Sequence, residues 1–333
     1  MIRQAVLATA SSRCLTVFLT TKYNTGHFMS SAMDGEDFER QQPPGRAPSI
    51  EPIAPAVLQD QVAVVTGGGR GIGRTFALAL AAAGAVVAVT GRSRDDLDGT
   101  VGQILAEGGR ATAALLDVID RQGVENGLLE LERRLGRVDL LVNNAGVWGP
   151  IDNLWDADPE EWWRTMEVHV GGAFNCCRVV LPGMIRRGAG RIINIVSNAG
   201  VHRWPTCSAY SVSKAAVVKL TENLAVEARS RGVAVFAFHP GLLEIGLGEQ
   251  AIQMQATPGS AADRAAAWIR SEFAAGRSVD PKRAAESLVA LASGRADGLS
   301  GCYLTVVDDL QALQARADQI QRDGLLTLRL RDA

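Results

Sequence analysis

Apolar and polar positions follow one another along this chain in two registers, and the switching between them outlines the fold. The runs QVAVVTG at 61–67 and AVVAVTG at 85–91 are short, β-branched and nearly all apolar, and each ends at glycine. A run of that length without a polar face reads as a strand buried on both sides. Between such runs the spacing becomes helical. Residues 72–83 carry Phe76, Leu80 and several alanines and stop at Gly84, and further helices are predicted at about 94–107 and 121–135. ATAALLDV, VDLLVNNAG, RIINIVS and VAVFAFHPG supply the third to sixth strands, with helices near 159–187 and 211–231 and a short last strand in GCYLTVV. Strands alternating with helices of this length predict βαβ units, hence an α/β fold with a doubly wound parallel sheet covered by helices on both faces.

The regular pattern occupies 57–310 as one domain. Residues 1–56 differ. They open with Arg3, Arg13 and Lys22 and no acidic residue up to Tyr23, and close with QQPPGRAPSIEPIAP, so they read as a disordered extension and linker. Residues 311–333 form a tail with helical spacing through Leu310, Leu313 and Ala317, then a β-like piece suited to docking on a neighbouring subunit. Of 333 residues, 47% are hydrophobic, and the net charge is -2. No broad basic face for nucleic acid or anionic lipid is expected, and no apolar run reaches the roughly 18–20 residues of a membrane span. Cys14, Cys176, Cys177, Cys207 and Cys302 form neither a CxxC pair nor a Cys/His cluster, so no metal site is expected and a cytoplasmic, reducing setting is.

Chemistry enters at TGGGRGIG, residues 66–73, between the first strand and the first helix. A glycine-rich string that ends a strand and opens a helix is a candidate dinucleotide cradle. Gly67 allows a tight turn, Gly71 leaves room for a pyrophosphate, and Gly73 lets helix and strand pack closely. Gly69, Arg70 and Ile72 complete the cradle, and the helix N-terminus offers free N–H groups and the positive end of a dipole. The string is similar to the TGxxxGxG cofactor motif of the short-chain dehydrogenases/reductases, which implies a Rossmann-type fold binding a nicotinamide nucleotide. In that family an acidic residue at the end of the second strand selects NAD. Here Gly91 and Arg92 stand there. A guanidinium binds a 2′-phosphate that a carboxylate would repel, and Arg70 is placed to assist, so NADP(H) is favoured over NAD(H). Asp117 and Val118 resemble the family's adenine-contacting pair. Asn143-Asn144-Ala145-Gly146 resembles its NNAG motif, which steadies the sheet and lines the cofactor, and Pro240-Gly241 resembles its PG motif.

Tyr210-Ser211-Val212-Ser213-Lys214 opens a helix, and its i, i+4 spacing sets Tyr210 and Lys214 on one face. Hydride transfer to a carbonyl creates an alkoxide that must receive a proton. A phenol near pKa 10 does this poorly unless a neighbouring ammonium lowers that value, which is the expected part of Lys214. Ser197, ending NIVS, can hydrogen-bond the substrate oxygen. Ser197 with YxxxK, downstream of both earlier motifs, again resembles the family, in which Lys214 would also hold the nicotinamide ribose. Two positions depart from it. His169 stands where the family has a catalytic Asn, and either hydrogen-bonds in its place, titrating near neutrality, or only fills the helix. Ile245 replaces a Thr that contacts the nicotinamide. Trp148, His202 and Trp204 are expected to border the substrate, and the resemblance implies that residues 242–277 form a lid over it.

These features predict an NADP(H)-dependent oxidoreductase moving hydride between nicotinamide and a carbonyl or secondary alcohol. The resemblance further implies a homo-oligomer, dimer or tetramer. A 3-oxoacyl-thioester reductase, acting on acyl-carrier-protein or CoA substrates, is the nearest alternative, and a catalytically silent dinucleotide-binding scaffold or sensor is one from another class.

Overall fold

The computed structural model describes residues 56–330, so the extension read over 1–56 lies, apart from Ala56, outside the described residues. One sheet of seven parallel strands organises them: β1 (Val62–Thr66), β2 (Val86–Gly91), β3 (Arg110–Leu115), β4 (Leu140–Asn143), β5 (Gly190–Ile195), β6 (Val233–His239) and β7 (Tyr303–Thr305). Their order is β3-β2-β1-β4-β5-β6-β7. This is the doubly wound, Rossmann-type arrangement, in which the chain reverses direction across the sheet between β1 and β4 and leaves a crevice at the carboxyl ends of the strands.

The crossovers carry α1 (Gly71–Ala82), α2 (Arg94–Ala106), α3 (Arg121–Leu135), α4 (Pro159–Met166), α5 (Gly172–Arg187), α6 (Ser208–Arg229), α7 (Leu247–Gln253), α8 (Ala261–Ala274) and α9 (Pro281–Ala292). Alternate residues of β1 feed opposite cores. Ala63 and Val65 meet Phe76 and Leu80 of α1, Leu97 and Ile104 of α2, and Leu288 of α9. Val64 instead meets Val124 and Leu128 of α3, Cys176 and Met184 of α5, and Ala225 of α6. Apolar side chains are therefore needed at every position of the strand, which is why its sequence shows no alternation.

Several boundaries move. β3 ends at Leu115, so Asp117 and Val118 lie in the loop beyond it rather than closing the strand. α6 begins at Ser208, which puts Tyr210 in its first turn. Between α4 and α5 the helix continues through a π-turn at Glu167–Gly171. The whole stretch Pro159–Arg187 is long and apolar enough to cross a membrane by length and composition alone, although 56% of its most apolar window is buried inside this fold.

After Leu310 the chain continues into the same core instead of standing apart. α10 (Leu310–Ala315) and α11 (Ala317–Asp323) follow, with Ala317 and Ile320 buried among the residues of the first cluster. The segment beyond Gly324 forms no strand. The Leu326 carbonyl accepts one hydrogen bond from the N–H of Tyr303 on the sheet edge, at 2.7 Å, and the Glu222 carboxylate on α6 takes up Leu328 N–H and Arg329. The tail thus docks on its own chain, covering part of the β7 edge, because Ile320 and Leu326 find apolar surface there.

Candidate active site

The crevice is framed by the two loops that leave β1 and β4. Thr66 Oγ1 accepts hydrogen bonds from the N–H groups of Asn144 (3.0 Å) and Ala145 (3.1 Å). Asn144 Nδ2 returns one to the Thr66 carbonyl at 2.9 Å. Gly67 takes the positive φ (65°) that its turn requires. A methyl group on Gly73 would be driven into the Gly67 carbonyl and the Asn144 amide, which accounts for the close helix–strand packing expected of it. At Gly71 the nearest obstacle to a side chain is Gly246 of the lid, 2.9 Å from where a Cβ would stand, so the lid reaches the rim of the glycine turn. The turn is braced from behind. Thr100 Oγ1 bonds the carbonyls of Gly68 and Gly69, both at 3.1 Å, and Arg74 Nε bonds the Gly69 carbonyl at 3.0 Å.

These residues fit a dinucleotide. The N-terminus of α1 has no side-chain cap and no acidic residue in its first turn, leaving backbone N–H groups around Gly71, Ile72 and Gly73 to meet an anion. Arg70 is exposed beside them. At the end of β2, Gly91 offers no carboxylate, and Arg92 projects outward with 57% of its side chain exposed, 3.9 Å from Asp117. Val118 is buried and Asp117 half-buried in the adjoining loop. Gly146 runs against the His169 ring, and Pro240 and Gly241 close the end of β6.

Ser197, Tyr210 and Lys214 converge at the carboxyl end of β5, all three buried. Ser197 caps the short turn Asn198–Gly200, accepting from Ala199 N–H at 3.2 Å, and α6 packs against that turn. Lys214 Nζ donates to the Ile195 carbonyl at 2.9 Å and lies 5.6 Å from the centroid of the Tyr210 ring. The expected acidification of the phenol is not what this geometry produces. Burial pushes Tyr210 up to about 12, opposed by a hydrogen bond with Ser197, and the same burial draws Lys214 down to about 8. Desolvation disfavours both charged forms at once. Tyr210 therefore stands as a protonated phenol, the form that can give up a proton.

His169 sits in the π-turn, buried, with each ring nitrogen engaged. Nε2 accepts from Val147 N–H at 3.1 Å, and Nδ1 lies 2.7 Å from Ser213 Oγ, whose hydroxyl donates to the Tyr210 carbonyl at 2.8 Å. An Nε2 that accepts fixes the neutral tautomer with its proton on Nδ1. Burial, then the nearby Lys214, holds this imidazole well below its usual pKa, which corrects the expectation that it titrates near neutrality. It ties the NNAG loop to the helix of Tyr210 instead. Lys214, His169, Asn143 and Thr66 also line a cavity of about 10 Å³, room for a single water. Asn143 bonds Asn194 (2.8 Å), which bonds Thr221 (2.8 Å), locking β4, β5 and α6 together.

On the substrate side, Trp148 lies 4.9 Å ring to ring from Tyr210, and its indole N–H donates to the Leu247 carbonyl of the lid at 2.7 Å. Trp204 is half-buried nearby, while His202 is exposed. The segment expected to form a lid, residues 242–277, holds α7 and α8. Ile245 is partly buried and packs against the main core. Sequence reasoning missed Thr66, Arg74, Thr100 and Ser213, each of which acts through a partner on another element and so has no local signature.

A family model described as short chain dehydrogenase matches residues 61–256. The chain is similar to short chain dehydrogenase pigC of Monascus ruber, 30% identical over 289 residues that cover 85% of this chain and 90% of the relative. Among solved structures it resembles an NAD+-bound xylitol dehydrogenase, with a TM-score of 0.68 at 27% identity, covering 74% of this chain and 97% of that one. It also resembles a protein from Beutenbergia cavernae described as an NAD(P) dependent gluconate 5-dehydrogenase with bound NADP, with a TM-score of 0.67 at 35% identity, covering 76% and 97%.

Proposed function

The chain belongs to the short-chain dehydrogenase/reductase family of NAD(P)-dependent alcohol and carbonyl oxidoreductases, and we propose that it works with NADP(H), using Tyr210 as the general acid/base. The observation that carries this is the convergence of Ser197, Tyr210 and Lys214, all buried, at the carboxyl edge of β5. When bound, the nucleotide supplies or accepts the hydride. Ser197 hydrogen-bonds the substrate oxygen and Tyr210 gives it a proton, or removes one in the reverse direction. Lys214 would hold the nicotinamide ribose, and it supplies a proton to restore Tyr210 from beside the water-sized cavity it lines with His169 and Asn143. His169 keeps the NNAG loop and α6 in register.

Preference for NADP(H) is supported by the missing carboxylate at Gly91 and by the outward reach of Arg92 and Arg70. A homo-oligomer is supported by the exposed Trp163, Phe174 and Val226 on α4, α5 and α6. Among the described residues, the buried free thiols Cys176, Cys177, Cys207 and Cys302 suit a reducing, cytoplasmic setting. The test is substrate-dependent oxidation of NADPH, followed by absorbance over a panel of ketones. Turnover is expected in the wild type, with a loss of about 10²–10³ in Ser197→Ala. A protein that binds NADPH tightly yet reduces no carbonyl would be the silent scaffold instead.

A further inference from the structure

The wall facing Tyr210 is aromatic and apolar. Trp148 tilts by 34° over the Tyr210 ring, and Trp204 meets Trp268 of α8 edge to face at 5.5 Å. Ile151, Met254 and Ala265 fill in around them. Each of the three indoles stays partly exposed. Several polar groups beside this wall already have partners. The Trp148 N–H is held by Leu247, the Ser208 hydroxyl accepts from Trp162 at 3.0 Å, and the Asn198 side-chain oxygen accepts from Ser197 at 3.3 Å. Three charged side chains of residues 242–277 turn to their own segment. Arg264 bonds the Gly259 carbonyl at 2.6 Å, Asp263 accepts from the Gly259 N–H at 2.9 Å, and Glu249 accepts from Gln253 at 3.1 Å.

A substrate bearing several hydroxyls would leave water here and find few partners beyond Ser197 and Tyr210, weakening binding roughly tenfold for each group left unpaired. A flat apolar ring needs no such partners. It can stack on the indole faces and take over the contact Trp148 makes with Tyr210. We propose that the substrate is a planar apolar carbonyl compound, an aryl or ring-fused ketone or the matching secondary alcohol, held between Trp148 and the Trp204–Trp268 pair with its oxygen at Ser197 and Tyr210. This rests on the oxidoreductase reading above and adds a substrate class to it.

The experiment compares kcat/KM for tetralone, butanone and xylulose with NADPH, in the full chain and in Trp204→Ala and Trp268→Ala. Tetralone is expected to exceed xylulose by about 10²-fold. Each substitution is expected to lower tetralone kcat/KM by about tenfold, chiefly through KM, and to change butanone by about twofold or less. Trp204→Phe, which keeps a ring, retains most of the tetralone activity and controls for misfolding. Xylulose turned over better than tetralone, in a reaction that Tyr210→Phe abolishes, would overturn the aromatic assignment while leaving the oxidoreductase intact. An unchanged tetralone-to-butanone ratio in folded alanine variants would overturn it too. If no ketone in the set is reduced, quenching of tryptophan emission by tetralone in the NADP+ complex decides: saturable quenching supports the site, and its absence ends the proposal.

Discussion

Replacing Gly91 with Asp is expected to turn cofactor preference from NADPH to NADH. The site accepts the change. A Cβ at Gly91 would meet only Leu97, with Cδ2 nearest at 3.5 Å, an ordinary contact, and its φ lies outside the left-handed range. The new carboxylate would stand at the end of β2, where the adenosine ribose is held in folds of this type. A unit charge about 4 Å from a phosphate charge costs about 4 kcal/mol at an effective dielectric constant of roughly 20. Solvent and Arg92 screen it, the latter with 57% of its side chain exposed, so about 1.5–3 kcal/mol is a fair expectation. That range weakens NADPH by about 10–100-fold, and a hydrogen bond to the ribose hydroxyls would strengthen NADH by about 1 kcal/mol. The assay is the ratio of kcat/KM values for the two nucleotides at fixed ketone, with circular dichroism to verify folding. A folded Gly91→Asp variant whose ratio equals that of the wild type would refute the reading of Gly91 and Arg92.

Lys214→Met should alter how stability depends on pH. Lys214 has a pKa of about 8 in the native chain against 10.5 as the ordinary value, so between those values the native chain has released a proton that the unfolded chain keeps, and this group adds stability as pH rises. Urea unfolding should therefore show the stability of the variant relative to wild type falling, by on the order of 3 kcal/mol, between pH about 8 and 10.5; a difference independent of pH would contradict the buried ammonium. His169→Phe leaves Val147 N–H and Ser213 Oγ without their ring partner, a loss of about 1–3 kcal/mol measurable by thermal melting, while in the wild type the His169 imidazole resonances should titrate well below the ordinary histidine range. Gly73→Ala should abolish nucleotide binding by fluorescence titration, because its methyl group collides with the Gly67 carbonyl, and retained binding would refute the packing argument.

The sheet was legible because its strands are apolar on both faces, and the glycine turn because a strand precedes it and a helix follows it directly. Tyr210 and Lys214 were legible for the same reason: four residues apart on a helix, they need no tertiary information to be paired. What stayed hidden depends on distance along the chain. Trp148 finds Leu247 across 99 positions and His169 finds Ser213 across 44, and neither end carries a mark of the other. The π-turn at Glu167–Gly171 has no composition of its own. The direction of the Tyr210 shift is not legible in the motif, because spacing shows a neighbouring ammonium and not the burial that raises the phenol. The tail's apolar positions show that it must dock but not on which surface, and its packing on its own core is not legible in the sequence.

The central claim is that the Tyr210 phenol carries the proton, and single-turnover reduction of a ketone by enzyme-bound NADPH tests it most directly when wild type and Tyr210→Phe are compared. The variant should bind NADPH with an unchanged Kd and transfer hydride about 10²–10⁴-fold more slowly. Transfer at the wild-type rate in a folded, nucleotide-saturated Tyr210→Phe protein would contradict the account.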